Sequence, residues 1–283
     1  MARKRATLTD LLNDLTYRVI YDKFKLVATN MFEWSGLPDG IDERYIERLL
    51  FDEGRAIFFR DPAMSYMCLS ATESSDLNVY GEPLRWRATG FNYNREYDAD
   101  DCVIISNNKY RIATRDFVTM YASKLAEAHR TMDVNVKACK TPYILACDDK
   151  SLLTVKQIFS KIDGNEPAIF TDKAFDVESL AVLKTGVTFL CNELQEYARG
   201  VESELLTFLG KNNVNFEKRE RVITDEVNAN NDVIQSFAEI QLNAREDAAR
   251  QINELYPELT VGVKLRGSET MEKPVGGVKN DIH

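Results

Sequence analysis

The sequence predicts a mainly α fold with α+β elements, on three observations. Apolar residues keep helical spacing over four long stretches, near 8–34, 114–138, 187–209 and 233–255. A β-rich stretch with period-two alternation lies between the first two, over 78–113. A short strand–helix–strand pattern at 143–175 separates the middle pair of helices. With 283 residues, 44% of them hydrophobic, the chain can bury a sizeable core, as one elongated domain or as two to three modules.

Arg3, Lys4 and Arg5 open the chain with positive charge, either a solvated terminus or an electrostatic arm for phosphate. Leu8, Leu11, Leu12, Leu15, Val19, Val27 and Met31, with Phe24 beside them, form the apolar stripe of a helix over 8–34. Ser35, Gly36 and Pro38 end it, and Trp34 at its exit reads as a packing anchor. A second helix spans 42–52 after the Pro-Asp-Gly turn, and Asp61 and Pro62 close a short strand at 57–59. Met64, Met67, Cys68 and Leu69 read as a buried helix.

Within 78–113, LRWRA at 84–88 alternates apolar and basic side chains, which puts Arg85 and Arg87 on one outer face. CVIIS at 102–106 is a buried strand, and Asn107 and Asn108 turn the chain into a further strand, KYRIA at 109–113. Tyr93, Tyr97 and Tyr110 admit stacking on single-stranded nucleic acid, but they form no repeated platform and tyrosines are common at sheet margins.

Thr114 is an N-cap for the helix over 114–138, whose stripe is Phe117, Tyr121, Leu125, Ala128 and Met132. Lys124, Glu127, His129 and Arg130 form its polar face, and Thr141–Pro142 ends the segment. A strand at 143–147, a helix at 153–161 and a strand at 167–170 follow. Asp148 and Asp149 lack further oxygen ligands nearby and read as turn residues. Leu183, Val187, Leu190, Leu194, Tyr197, Val201, Leu205 and Phe208 then predict a helix from 187 to 209. At 1.5 Å per residue it is roughly 35 Å long. Gly210 stops it.

Residues 212–232, NNVNFEKRERVITDEVNANND, are polar, mixed in charge and rich in asparagine, and read as a long loop, either functional or simply solvated. Ile234, Phe237, Ile240 or Gln241, Ala244, Ala248, Ile252 and Leu255 line one face of the helix at 233–255. LTVGVKL at 259–265 is a strand expected to join the β material of 78–113, and 267–283 reads as a flexible tail.

Several function classes are disfavoured. A net charge of −9 opposes bulk affinity for nucleic acid, although an acidic wall suits a surface that must meet DNA without holding it. Cys68, Cys102, Cys139, Cys147 and Cys191 form no C-x-x-C pair, complete no zinc site with His129 and His283, and read as reduced core residues. The apolar runs are shorter than a membrane span, so a soluble chain made in the cytosol, without membrane contact, is expected. Phosphate-loop, nucleophile-elbow, zinc-protease and dinucleotide motifs are missing. No catalytic residue, metal or cofactor is assigned, and the chain is not expected to be an enzyme.

One ordered series of short runs is specific. It comprises MARKR at 1–5, FEWSGLP at 32–38, KTP at 140–142, VKQIF at 155–159, GNEPAIF at 164–170, LLTFLG at 205–210, EKRERVITDEV at 217–227 and INELY at 252–256. In order and spacing the series resembles the upper collar protein of small podoviruses of the Picovirinae type, the portal or head–tail connector of the virion. The resemblance implies a portal-like fold: a basic arm (1–7), a wing (8–113), a stem helix (114–140), a small α/β clip (141–175), a stem or channel helix (176–211), a channel loop (212–232), a return helix and strand of the wing (233–266), and the tail (267–283). It implies a homo-oligomer, a ring of twelve copies at one capsid vertex, through which double-stranded DNA is packaged and ejected.

Lys184, in the run LKTG, and Lys218, Arg219 and Arg221 match DNA-channel positions of that family. The family's second tunnel lysine falls on Asn192, so one ring of charge is missing. Arg3, Lys4 and Arg5 match the basic terminus that contacts packaging RNA or the adjoining motor. The implied partners are the major capsid protein, the packaging ATPase with a packaging RNA, and lower collar or tail proteins. The implied location is the virion, with assembly in the host cytoplasm. Outside the resemblance, the alternatives are a non-viral helical adaptor that binds a protein partner and a hydrolase using scattered carboxylates.

Overall fold

The computed structural model describes residues 8–140, 143–146, 153, 156–157, 160, 181–184, 186–211 and 224–267. They form α1 (Leu8–Thr29), β1 (Phe32–Ser35), α2 (Glu43–Glu53), β2 (Arg55–Asp61), β3 (Ser65–Glu73), β4 (Arg85–Gly90), β5 (Tyr93–Asp98), β6 (Cys102–Ser106) and α3 (Arg115–Lys140). Then come β7 (Tyr143–Ala146), β8 (Ala181–Lys184), α4 (Cys191–Phe208), α5 (Thr224–Leu255) and β9 (Gly262–Leu265). Two compact units divide the chain. The first comprises Met1–Ile20 and Met120–Glu204, the second Tyr21–Thr119 and Leu205–His283. The mixed class agrees with the sequence reading.

The second unit is built on a five-stranded antiparallel sheet in the order β5-β4-β3-β2-β6. β2 lies between β3 and β6 and is buried on both faces, which explains its uninterrupted run of apolar residues. Phe58 points into a core with Ile46, Leu49 and Leu50 of α2 and with Ala248 and Ile252 of α5. Ile57 and Phe59 point the other way, into a core with Ala71, Trp86, Ala88 and Cys102. Arg85 and Arg87 alternate with buried Trp86 and Ala88, as the LRWRA pattern requires. At the start of α2, Asp42 accepts the Arg44 N–H at 2.8 Å. At its end Gly54 takes a φ of 79°, and a Cβ there would lie 2.0 Å from the Arg111 carbonyl oxygen.

Several elements differ from expectation, for identifiable reasons. Residues 32–34 are strand, not the end of the first helix, because β1 pairs with β9 in the register Phe32↔Leu265 to Ser35↔Gly262. The same pairing removes β9 from the five-stranded sheet that it was expected to join. The stretch around Met67–Leu69 is strand β3 rather than a helix. A clamp sets its start: the Asp61 carboxylate accepts the N–H groups of Ala63 at 2.9 Å and Met64 at 3.1 Å, turning β2 back into a hairpin. KYRIA at 109–113 is a loop, not a strand. Asn108 accepts the N–H groups of Tyr110 and Ile112, both at 3.1 Å, and Asn107 donates to the Ile112 carbonyl at 2.9 Å. Side-chain amides thus occupy backbone groups that a strand would pair. β5 was not singled out by the sequence at all.

The first unit holds the start of α1, most of α3, the antiparallel β7–β8 pair and α4 up to Glu204. α4 begins at Cys191 rather than 187, and Leu183 lies in β8 instead of on the helix stripe. Its start is fixed from outside: Asn135 of α3 accepts the Leu190 N–H at 2.9 Å and donates to the Thr188 carbonyl at 2.8 Å. Residues 153, 156–157 and 160 are helical, as read from the sequence. The strand expected at 167–170, the Asp148–Asp149 turn and the tail from 268 lie outside the described residues.

In the second unit, α4 closes at Gly210, where φ is 71° and a Cβ would lie 2.7 Å from the Ala238 nitrogen. α5 starts at Thr224, so residues 224–232 of the expected loop are helix.

Candidate functional site

α4 is the element on which a channel reading depends. Its 18 residues include four glutamates and one arginine. Ala198, Val201 and Leu205 are buried, whereas Asn192, Glu193, Gln195, Glu196, Arg199, Gly200 and Glu204 are exposed. One side of the helix therefore packs and the other presents net negative charge to solvent. Asn192, at the position where the resemblance expects a lysine, is exposed in the first turn. Tyr121 of α3 bonds to Glu204, and burial followed by that carboxylate raises the phenol above its ordinary value.

Of the seven basic residues expected to act, the described residues place one. Lys184 ends β8 opposite Tyr143, a strand position rather than a helical one. Arg3, Lys4, Arg5, Lys218, Arg219 and Arg221 lie outside the described residues.

Apolar side chains are also left in solvent. On α1, Leu12, Leu15 and Val19 are 37%, 53% and 60% exposed. They belong to the apolar stripe expected for that helix, of which Met31, just beyond the helix, and the neighbouring Phe24 are buried. Elsewhere in the first unit Val134, Phe189, Leu190 and Tyr197 are exposed as well. Arg130 joins α1 to α3 by donating to Asn13 at 2.7 Å, and it pairs with Asp133 at 2.8 Å.

The second unit holds an apolar groove of about 450 Å³ lined by Ile112, Phe117, Phe208, Phe237, Ile240 and Ala244. Phe117 and Phe208 stack with centroids 4.2 Å apart, and Phe237 lies 5.7 Å from Phe208. Beside the groove, and 2% exposed, is Arg245. It donates to both Glu47 oxygens at 2.9 and 2.8 Å, to the Gln241 carbonyl at 3.0 Å and to Asn107 Oδ1 at 3.1 Å. Its guanidinium lies 4.0 Å from the Phe32 ring centroid. Glu47, also 2% exposed, accepts the Trp34 indole N–H at 2.9 Å. The sequence reading missed this network. Its signal was an arginine standing on the apolar stripe, between Gln241 and Ala248. Of the two candidates for the preceding position on that stripe, Gln241 is buried and Ile240 exposed.

Tyr93 and Tyr97, weighed as nucleic-acid platforms, pack on Phe59 and bond to Asp61 instead. Among the described residues no three His, Cys, Asp or Glu side chains gather as metal ligands, and no helix is long and apolar enough to cross a membrane. Cys68 and Cys102 are buried, and burial pushes both thiols up to about 12.

A family profile described as Phage Connector (GP10) matches residues 7–270. Among solved structures, a chain of the portal and tail of native bacteriophage P68 superposes with a TM-score of 0.50 at 14% identity, over 95% of this chain and 94% of that one. An HK97 family phage portal protein from Corynebacterium diphtheriae gives 0.48 at 10% identity, over 94% and 96%. The P68 likeness is one of fold.

Proposed function

The chain belongs to the Phage Connector (GP10) family, and we propose that it serves a phage particle as its portal, the head–tail connector. The observation that carries this is the family match over 7–270, nearly the whole chain. It favours this reading over the adaptor and hydrolase readings, since the family is one of structural proteins. In this reading several copies, twelve by the resemblance, close head to tail into a ring around a channel for double-stranded DNA. The exposed glutamates of α4 support a wall that repels phosphate, so that duplex slides instead of sticking. The exposed apolar residues of the first unit support contacts between copies.

Lys184, Lys218, Arg219 and Arg221 are proposed to meet the DNA, and Arg3, Lys4 and Arg5 the packaging RNA or motor. In this reading the energy for packaging comes from a separate ATPase, and the capsid and tail proteins attach to the ring. Negative-stain images of purified protein test the assembly: rings with a central pore are expected, and compact single particles at every concentration would overturn it. Changing Lys218, Arg219 and Arg221 to glutamine tests the site. Rings should persist while particles lose packaged DNA. A triple variant that cannot assemble would make the segment architectural instead.

A further inference from the structure

Cys139 and Cys191 flank the insertion that contains β7 and β8, one beside the last residue of α3 and the other at the first residue of α4. Both are free, half-buried thiols. Both face one atom. Asn135 Oδ1 lies 3.5 Å from Cys191 Sγ and 4.0 Å from Cys139 Sγ. That oxygen also accepts the Leu190 N–H, and Cys191 Sγ lies 3.9 Å from the Met132 carbonyl oxygen. A single amide thus holds the start of α4 against α3 and gathers two thiols at the base of the insertion. Cys68 and Cys102 contrast with them, since both are sealed in the second unit's core.

We propose that Cys139 and Cys191 form a dithiol site that reacts with a small-molecule disulfide and closes into a disulfide across the base of the insertion. The Cys191 thiolate attacks one sulfur of the small disulfide and releases one small thiol, leaving a mixed disulfide. The Cys139 thiolate then attacks the Cys191 sulfur and releases the second small thiol. Two protein thiols are oxidised and one small disulfide is reduced, and the two protons leave on the released thiols. The new bond needs its Cβ atoms roughly 3.8 Å apart, so the Asn135 oxygen moves out from between the sulfurs and the two helices draw together there. Residues 140–190 then form a covalently closed loop. The thiol chemistry is independent of the connector reading. Its biological setting rests on that reading: a particle assembled in a reducing cytoplasm and released to oxidising surroundings would acquire the bond after assembly.

The test uses the full native chain incubated with glutathione disulfide, followed by thiol counting and non-reducing peptide mapping. The expected result is loss of two of the five thiols and one peptide pair joining 139 to 191, unchanged in a Cys147→Ser variant. A Cys191→Ser variant with native circular dichroism should give no such pair. Stable glutathione adducts on both cysteines, or consumption of Cys147 while 139 and 191 stay free, overturns the proposal. Neither outcome bears on whether rings form, which microscopy reads separately.

Discussion

The two units treat their side chains differently. The second unit seals two apolar cores around β2 and neutralises the deeply buried Arg245 with a carboxylate, an amide and two carbonyls. Both units leave apolar side chains in solvent, but many of the second unit's, such as Val79, Tyr80, Phe91 and Tyr110, lie in turns, whereas the first unit exposes Leu12, Leu15, Val19, Val134 and Tyr197 along its helices and carries the acidic side of α4. The second unit is organised for its own stability. The first keeps apolar surface that one copy does not cover, which fits a protein completed by further copies. Both tryptophans, Trp34 and Trp86, lie in the second unit, so their fluorescence reports on that unit alone.

The most severe test of the contrast is Arg245→Met. It strands the Glu47 carboxylate in the core, and breaking a buried pair from one side costs about 3–5 kcal/mol. Urea titration followed by tryptophan fluorescence should show a loss of that size. Adding Glu47→Gln should recover much of it, because a neutral amide needs no counter-charge and still accepts the Trp34 N–H. A single variant within 0.5 kcal/mol of the parent would show that the second unit does not depend on this network.

Leu15→Gln with Val19→Gln probes the other side. Both residues are more than half exposed, so the stability of the isolated chain should move by less than about 0.5 kcal/mol. Light scattering should nonetheless show weaker assembly, by about 1.5 kcal/mol or more for each side chain that a neighbouring copy buries. Unchanged assembly would remove the assigned role of this stripe. Asn135→Ala should cost less, about 1–2 kcal/mol, by freeing the Leu190 N–H at the start of α4. The loss should appear in far-ultraviolet circular dichroism and leave the tryptophan transition in place. A coincident shift of both signals would mean that the units do not melt separately.

The contrast also explains what could be read from the sequence. Helices declare themselves locally, so the long helices and the Gly210 stop were legible from the sequence alone. Partners distant in sequence do not. β1 is strand only because β9 reaches it, with Glu33 opposite Lys264, and nothing near residue 33 encodes that. The apolar run at Met67–Leu69 fits helix or strand, and the choice was made by Asp61 clamping the turn before it. The α1 stripe was legible as apolar, but periodicity cannot say whether the partner is the same chain or another copy. For the site, the acidic side of α4 follows from composition and helical phase. The strand position of Lys184 depends on pairing with Tyr143, forty-one residues earlier, which no local signal carries.

The smallest expected effect concerns pH and belongs to the second unit. Asp61 is 1% exposed and its carboxylate is fully engaged. One oxygen accepts the Ala63 and Met64 N–H groups; the other accepts from the Tyr93 hydroxyl at 2.7 Å and Arg95 at 3.0 Å. The Tyr93 hydroxyl, then the Ala63 N–H, the Met64 N–H and the Arg95 charge hold its pKa below the usual carboxylate value, against the opposing effect of burial. Tyr93 is shifted upward by burial and by its Tyr97 and Asp61 partners, so it remains a donor through neutral pH. The folded pKa of Asp61 lies below the unfolded one, so on acidification the unfolded chain takes up the proton first. The ionised clamp therefore contributes fully above the unfolded value, about pH 4, and the contribution fades as pH falls through the lower folded value. Asp61→Asn removes that titration. The stability gap between parent and variant, read by tryptophan fluorescence, should be widest at pH 6 and narrower at pH 3. A gap of the same width at both would mean that hydrogen-bonding shape, not charge, turns β2 into β3.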